Sequence, residues 1–409
     1  MQLFHINKYF LILLGFFIPI STFMTSFFLV AISLFWLFDN VKDKFQKNFL
    51  VLKSNPVSFI SMIVFLIFLI GVLYADAEKK EILAGLSDGS KFLFISLTMI
   101  YFADGKFKSF FLSGFISAMI ITLLLSYLLW FGLLPDMFFV KGSNNDCVIF
   151  HSHITQNTFM AYTAFIFAIW SRFALSRKLQ LVWGLLSLAA FCNVFLLVAG
   201  RTGHLVMIVL FIYFFLTWKN FKSFIIALML ILFFTTILKF YPTNPFFLRT
   251  KAMIKEIKEW NYKKPNKTSS GQRLEFYFNS LKIINENLFF GTGTASFQKT
   301  YKKAIKETAF NKTANPHNDY LMVAVQFGIV GFLALLFFFV TQWRCAVFLT
   351  QKSLTLLSRG FIITIMLSCM VNSPISDHGE GWFFAFMSAF FFAGIDKSFF
   401  KKGLSFFRA

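Results

Sequence analysis

Residues 57–74 read VSFISMIVFLIFLIGVLY, eighteen residues without one charge. An α-helix needs about 20 apolar residues to cross the hydrocarbon of a bilayer. Backbone in lipid must satisfy its own hydrogen bonds, so an isolated crossing segment is a helix. A barrel strand would alternate apolar and polar residues, and this stretch does not. Outward from it, comparable runs recur at about 9–20, 22–38, 85–103, 108–130, 156–175, 179–199, 203–218, 221–240, 318–342, 355–373 and 381–396, making twelve. The composition agrees, at 57% hydrophobic and 14% charged, against roughly 45–50% and about 25% in soluble chains. The first block, 9–38, is too long for the apolar core of a signal peptide and has no convincing small-residue cleavage site. Pro19 and Ser21 near its middle predict two short helices with a turn between them.

Sidedness follows from the cations. One set of alternate connections carries Lys8; Lys42, Lys44, Lys47 and Lys53; Lys106 and Lys108; Arg172, Arg177 and Lys178; Lys219 and Lys222; Arg344, Lys352 and Arg359; and Lys397, Lys401, Lys402 and Arg408. The other short connections carry only Lys79, Lys80, Lys141 and Arg201. The positive-inside rule then puts both termini and the cation-rich connections in the cytoplasm. The chain divides into helices over 1–240, a long polar loop over 241–317, and helices with a cytoplasmic tail over 318–409. The loop falls on the outer side although it holds fourteen Lys/Arg against five Asp/Glu. Long loops cross largely regardless of charge, and an anionic ligand would account for this one. Within it, 246–260 reads as an amphipathic helix and 261–271 as a turn-rich break. Residues 272–285 are helical again, with Leu274, Tyr277, Phe278 and Leu281 at helical spacing, and Gly291-Thr292-Gly293 is a tight turn. The loop is therefore expected to be a small helical cap partly seated at the membrane surface.

Three residues are candidates for chemistry. Arg201, in Ala199-Gly200-Arg201-Thr202-Gly203, lies where the outer boundary of the membrane should be. A charge there is costly and tends to be functional, although a snorkelling helix anchor reads the same way. The flanking glycines allow close backbone approach. Arg273 follows Ser269-Ser270-Gly271-Gln272 and opens a helix. Its planar fork suits phosphate oxygens and a helix N-terminus favours anions, but a solvated surface arginine fits as well. His317 precedes a helix starting near Asn318. A neutral imidazole is the usual general base near pH 7, and a helix-capping or interfacial histidine is the alternative. Asp319 would orient the ring or cap the helix. Arg249 competes as an anion ligand.

Other readings are weaker. His151 and His153 lack a completing carboxylate or thiol beyond Cys147, and the four cysteines match no zinc spacing. Asp377-His378-Gly379-Glu380 reads as a short polar turn. No phosphate-binding glycine loop is present, and no nucleic-acid partner is expected. A donor used outside the membrane must carry its own activation energy, as a lipid-linked pyrophosphate sugar does.

These residues resemble those of the O-antigen ligase family of bacterial inner-membrane proteins, which also takes in O-antigen polymerases and O-oligosaccharyltransferases. The resemblance runs through Ser269-Ser270-Gly271-Gln272-Arg273, Asn287-Leu288-Phe289-Phe290-Gly291-Thr292-Gly293, Phe297, Tyr301 and Asn315-Pro316-His317-Asn318-Asp319-Tyr320-Leu321. It continues through Gln326-Phe327-Gly328-Ile329-Val330-Gly331 and takes in Gly200-Arg201-Thr202-Gly203 and Asn372-Ser373-Pro374 with Asp377 and Glu380. Gln272 separates the glycine and arginine that the family's motif sets together. The resemblance implies an all-α polytopic membrane protein of about twelve transmembrane helices with a helical periplasmic loop domain. It implies a glycosyltransferase in lipopolysaccharide biosynthesis that moves a glycan from undecaprenyl pyrophosphate to lipid A-core on the periplasmic face of the inner membrane. His317 would be the base, and Arg201 and Arg273 would hold the pyrophosphate, with Asn318, Asp319 and Arg249 in support. Inversion at the anomeric carbon and no metal or nucleotide cofactor are implied too. The alternatives are an O-antigen polymerase, a protein O-oligosaccharyltransferase and, from a different class, a lipid-linked glycan transporter.

Overall fold

A computed structural model describes residues 2–395 except 39–40, 104, 136, 219–243 save a few isolated positions, 263, 266, 307 and 309. The expected run at 221–240 and the tail beyond residue 395 therefore lie outside the described residues. The other eleven apolar runs each coincide with a helix. In chain order the described residues form α1 (Gln2–Phe17), α2 (Thr22–Phe38), α3 (Val41–Ser54), α4 (Pro56–Gly71), α5 (Lys79–Phe102), α6 (Gly105–Trp130), α7 (His153–Phe173), α8 (Arg177–Cys192) and α9 (Arg201–Leu216). Then come α10 (Pro245–Lys258), α11 (Ser269–Glu286), α12 (Phe297–Ala304), α13 (Asp319–Cys345), α14 (Lys352–Val371) and α15 (His378–Phe392). No strand is formed among the described residues beyond one isolated bridge between Ser143 and Asp146. The protein is an all-helical, multi-pass membrane protein. Among the described residues, six helical segments are long and apolar enough to cross a bilayer, and two shorter apolar helices, Thr22–Phe38 and Arg201–Leu216, accompany them.

Local chemistry explains where the helices begin. Asn55 caps α4, its side chain accepting from the Val57 and Ser58 N–H groups, and Pro56 takes the first helical position, where its missing N–H costs nothing. The first apolar block turns at Pro19 and continues as α2 from Thr22, the two-helix arrangement expected from its sequence. One helix went unread: α3 fills the connection that carries Lys42, Lys44, Lys47 and Lys53. Its apolar Phe45, Phe49 and Leu50 are exposed. The lysines had marked it as a polar connection, but such a mixed face fits an interfacial helix.

One large aromatic-rich core runs through the bundle, with α7, α14 and α15 supplying its centre around Phe159, Tyr162, Phe361 and Phe383. The loop has its own smaller core of Phe276, Ile283, Phe297, Tyr301 and Ile305, closed by Val325 of α13. The loop also grafts into a membrane helix. At Gly328 the backbone of α13 leaves helical geometry, at φ 60° and ψ −155°. The Ile329 N–H then donates to the Leu288 carbonyl at 2.8 Å, and the Thr292 and Gly293 N–H groups donate to the Val325 and Gln326 carbonyls at 3.0 and 2.8 Å. Non-helical backbone at membrane depth survives only where protein satisfies it, and residues 288–293 do this for α13. Thr294 ties the same segment to α4, its hydroxyl donating to the Phe68 carbonyl at 2.6 Å.

Candidate active site

Arg201 is the first residue of α9 and Gly200 its cap. A Cβ on Gly200 would lie 2.3 Å from the His153 carbonyl oxygen, and one on Gly203 would meet the Asn157 backbone at 2.6 Å. The two glycines thus let α9 press against α7, the close approach read from their spacing. Asn157 completes the corner by donating to the Gly200 carbonyl at 2.8 Å. The Arg201 guanidinium donates to the Ser270 hydroxyl at 2.6 Å and lies 3.7 Å from the Glu256 carboxylate. Glu256 in turn accepts the Ser270 N–H at 2.9 Å. A membrane-helix end, α10 and α11 are therefore joined through one arginine.

Arg273 falls on the second turn of α11. The helix starts at Ser269, three residues earlier than expected, because the Thr268 hydroxyl accepts the Gly271 N–H and caps it there. Arg273 therefore does not open the helix, and its side chain rather than the helix N-terminus must do any anion binding. Among the described residues Arg273 and Arg249 have no hydrogen-bonded or ion-pair partner. Burial, and then the neighbouring Arg201 charge, lower the Arg273 pKa from its ordinary value.

Arg201, Arg249 and Arg273 line one cavity of about 400 Å³. Among the described residues its lining has no carboxylate. Leu205, Ile208, Phe246, Met253 and Leu274 give it an apolar wall, and Tyr277 and Val371 also border it. Two partnerless guanidinium groups beside a greasy wall make a site for an anionic head attached to a hydrocarbon tail.

His317 is held just beside this cavity and is not among the residues lining it. Its φ is 54°, in the left-handed region that few residues other than glycine adopt. Two contacts hold it there. The Asn315 side-chain oxygen accepts the His317 N–H at 2.7 Å, and the Tyr277 hydroxyl lies 3.2 Å from both the His317 and Met370 carbonyl oxygens. Asn315 is itself fixed by the Ser373 hydroxyl at 2.7 Å. The imidazole stacks on Phe276, ring centres 6.4 Å apart. Burial, then the Arg273 charge, lower its pKa against a smaller opposing hydrogen bond to Asn372. The ring is therefore neutral near pH 7, with a lone pair able to take a proton.

The neighbours of His317 divide differently from expectation. Asn318 is the helix cap, its oxygen accepting the Leu321 N–H while its amide donates to the Met370 carbonyl. Asp319 neither caps the helix nor has a bond to the imidazole; its carboxylate is buried and accepts the Ile375 N–H at 2.9 Å. Asp377 caps α15 by accepting from Gly379 and Glu380, so the expected polar turn is a helix start. His151 is buried with its Nε2 at 3.1 Å from the Ile18 carbonyl. Among the described residues no group of three His, Cys, Asp or Glu side chains is placed to share a metal. Sequence reasoning missed Tyr277 and Asn315 as positioning residues. Tyr277 had been read as one position of an apolar helix face, and only its long reach to the His317 carbonyl, in the segment 313–318 that straps the histidine in place, distinguishes it.

Residues 185–336 match the model of a family described as O-Antigen ligase, so the chain carries an O-antigen ligase family domain over just over a third of its length. That domain holds Arg201, Arg249, Arg273 and His317. Over that segment the chain is similar to membrane proteins of the O-antigen ligase and polymerase type. No curated protein matches the chain.

Proposed function

We propose that the chain is an O-antigen ligase: it moves a glycan from undecaprenyl pyrophosphate to a hydroxyl of lipid A-core, on the periplasmic face of the bacterial inner membrane. The observation that carries this reading is the convergence of three arginines from three helices on one cavity with an apolar wall. The pyrophosphate lies against Arg201, Arg249 and Arg273, and the polyprenyl chain leaves along the apolar wall. His317 takes the proton of the acceptor hydroxyl. That oxygen attacks the anomeric carbon, the bond from this carbon to the pyrophosphate oxygen breaks on the opposite face, and configuration inverts. Undecaprenyl pyrophosphate departs with the added negative charge, which the arginines stabilise. They supply the charge that a metal would otherwise bring, so EDTA is expected to leave the rate unchanged.

The test is purified protein with a synthetic lipid pyrophosphate donor and three acceptors: core lipid, free glycan and peptide. Transfer to core lipid is expected. Transfer to the free glycan alone would make the protein a polymerase, and transfer to peptide an oligosaccharyltransferase. Failure with every acceptor would end the glycosyltransferase reading.

A further inference from the structure

A second cavity, of about 180 Å³, opens beside the strap that holds His317 and shares no lining residue with the arginine cavity. Ala314 and Asp319, three residues before and two after His317, form part of its wall. Its charge is opposite. Glu81, Asp88 and Asp319 line it and no lysine or arginine does; Lys91 holds Asp88 at 2.9 Å from outside the lining. Gln326 supplies a donor. It is only 6% exposed, its oxygen accepts the Ala295 N–H at 2.6 Å, and its side-chain NH₂ has no partner among the described residues. That NH₂ is therefore available to donate to an acceptor placed in the cavity. Phe68 and Phe297 add aromatic surface.

From this arrangement we infer that the second cavity binds one sugar ring of the acceptor, neutral or bearing an amino group, and refuses a ring that carries phosphate. The inference rests on the proposed glycan transfer. A pyranose offers hydroxyl donors at its rim and an apolar C–H face. Carboxylates accept from the former and aromatic rings cover the latter, while Gln326 donates to a hydroxyl or ring oxygen. An ammonium on the ring gains chiefly from Glu81, and a phosphate meets like charge there, while Asp88 is already paired with Lys91 and Asp319 is buried on the Ile375 N–H. The two cavities thus sort the substrates by charge, with pyrophosphate drawn to the arginines and the uncharged or amino sugar to the acidic cavity. Glu81, Asp88, Ile375 and Ser376 lie outside residues 185–336, so acceptor choice is built in part from sequence beyond the family domain.

Binding can be measured apart from transfer. The full chain in detergent would be titrated with methyl glucoside, methyl glucosaminide and methyl glucoside 6-phosphate, followed by saturation-transfer NMR. Inorganic pyrophosphate would report on the arginine cavity. The first two glycosides are expected to bind, and the phosphorylated one at least about tenfold more weakly, or roughly 1.4 kcal/mol. Gln326→Leu should weaken the glycosides. Ala84→Phe, which fills the cavity from an exposed position, should do so without threatening the fold, and pyrophosphate affinity should stay as in the wild type. Unchanged glycoside binding in Ala84→Phe, or equal binding of the phosphorylated ring, would overturn the sugar site. Glycoside binding by a protein that transfers nothing would leave the sugar site standing and remove the ligase reading.

Discussion

At the scale of single residues, the arginines and His317 have separable signatures. His317→Ala should abolish transfer while the protein still inserts and folds. A general base must be neutral, so activity is lost as pH falls through its pKa. Burial and Arg273 lower that pKa, so the acid limb of kcat/KM is expected below the ordinary imidazole value of about 6.5. Removing the nearby charge with Arg273→Gln favours the imidazolium and should move the limb to higher pH, in addition to weakening donor use. A limb that stays put would mean that another group is titrating. Arg201→Ala and Arg273→Ala should each cost about 2–4 kcal/mol in kcat/KM if they meet charge that develops in the transition state. Arg201 is already bonded to Ser270 and close to Glu256, so its loss should also loosen α10 and α11, and Arg273→Ala is the cleaner comparison. Arg201 and His317 stood out in the sequence as polar groups at the edges of apolar runs, whereas Arg273 was singled out only as the opening of a helix, which in fact starts at Ser269. The distinction between one bound guanidinium and one partnerless guanidinium was not legible, since Glu256 and Ser270 reach Arg201 only through the fold.

The helices carry a second argument. Two glycine-containing strings, Asn287–Gly293 and Gln326–Gly331, were visible in the sequence as a tight turn and as part of a membrane helix. Nothing in their spacing announced that one repairs a break in the other. The break requires Gly328, since a Cβ there would come within 2.4 Å of the Phe289 backbone and the φ of 60° would strain any L side chain. Gly328→Ala should therefore lower the thermal midpoint in detergent, at a cost of at least about 1–3 kcal/mol from the backbone conformation alone. Activity should fall with it, because the displaced segment is continuous with α11 and α12 and hence with Arg273. A variant that melts and works like the wild type would show that the graft is dispensable. The start of α13 near Asn318 was legible, although the cap had been read as His317 or Asp319 and is Asn318 itself. A start was misplaced where a cap lay in a run of equally suitable residues: Lys267-Thr268-Ser269-Ser270 offers three hydroxyls, and only the backbone decides that Thr268 takes the part.

For the molecule as a whole, the question is which way it faces. Apolar length fixed the helices in advance because a bilayer leaves the backbone no other solution, and alternation of cations assigned the sides. The proposed chemistry requires the 241–317 loop to be outside, where lipid-linked glycan is presented, and its excess of nine cations, fourteen less five, makes it the one connection that strains the charge rule. Two of its fourteen cations, Arg249 and Arg273, face a cavity shared with Arg201 at the bundle edge, which gives a reason for part of the excess. Cys147, Cys345 and Cys369 are buried and Cys192 is half-buried, so a cysteine-free background with single exposed reporters can test the orientation. Lys267→Cys in the loop should react with a membrane-impermeant maleimide in cells with a permeable outer membrane and an intact inner one. Lys47→Cys on α3 should react only after the inner membrane is broken. The reverse pattern would put the arginines in the cytoplasm, away from a periplasmic donor, and would overturn the ligase proposal.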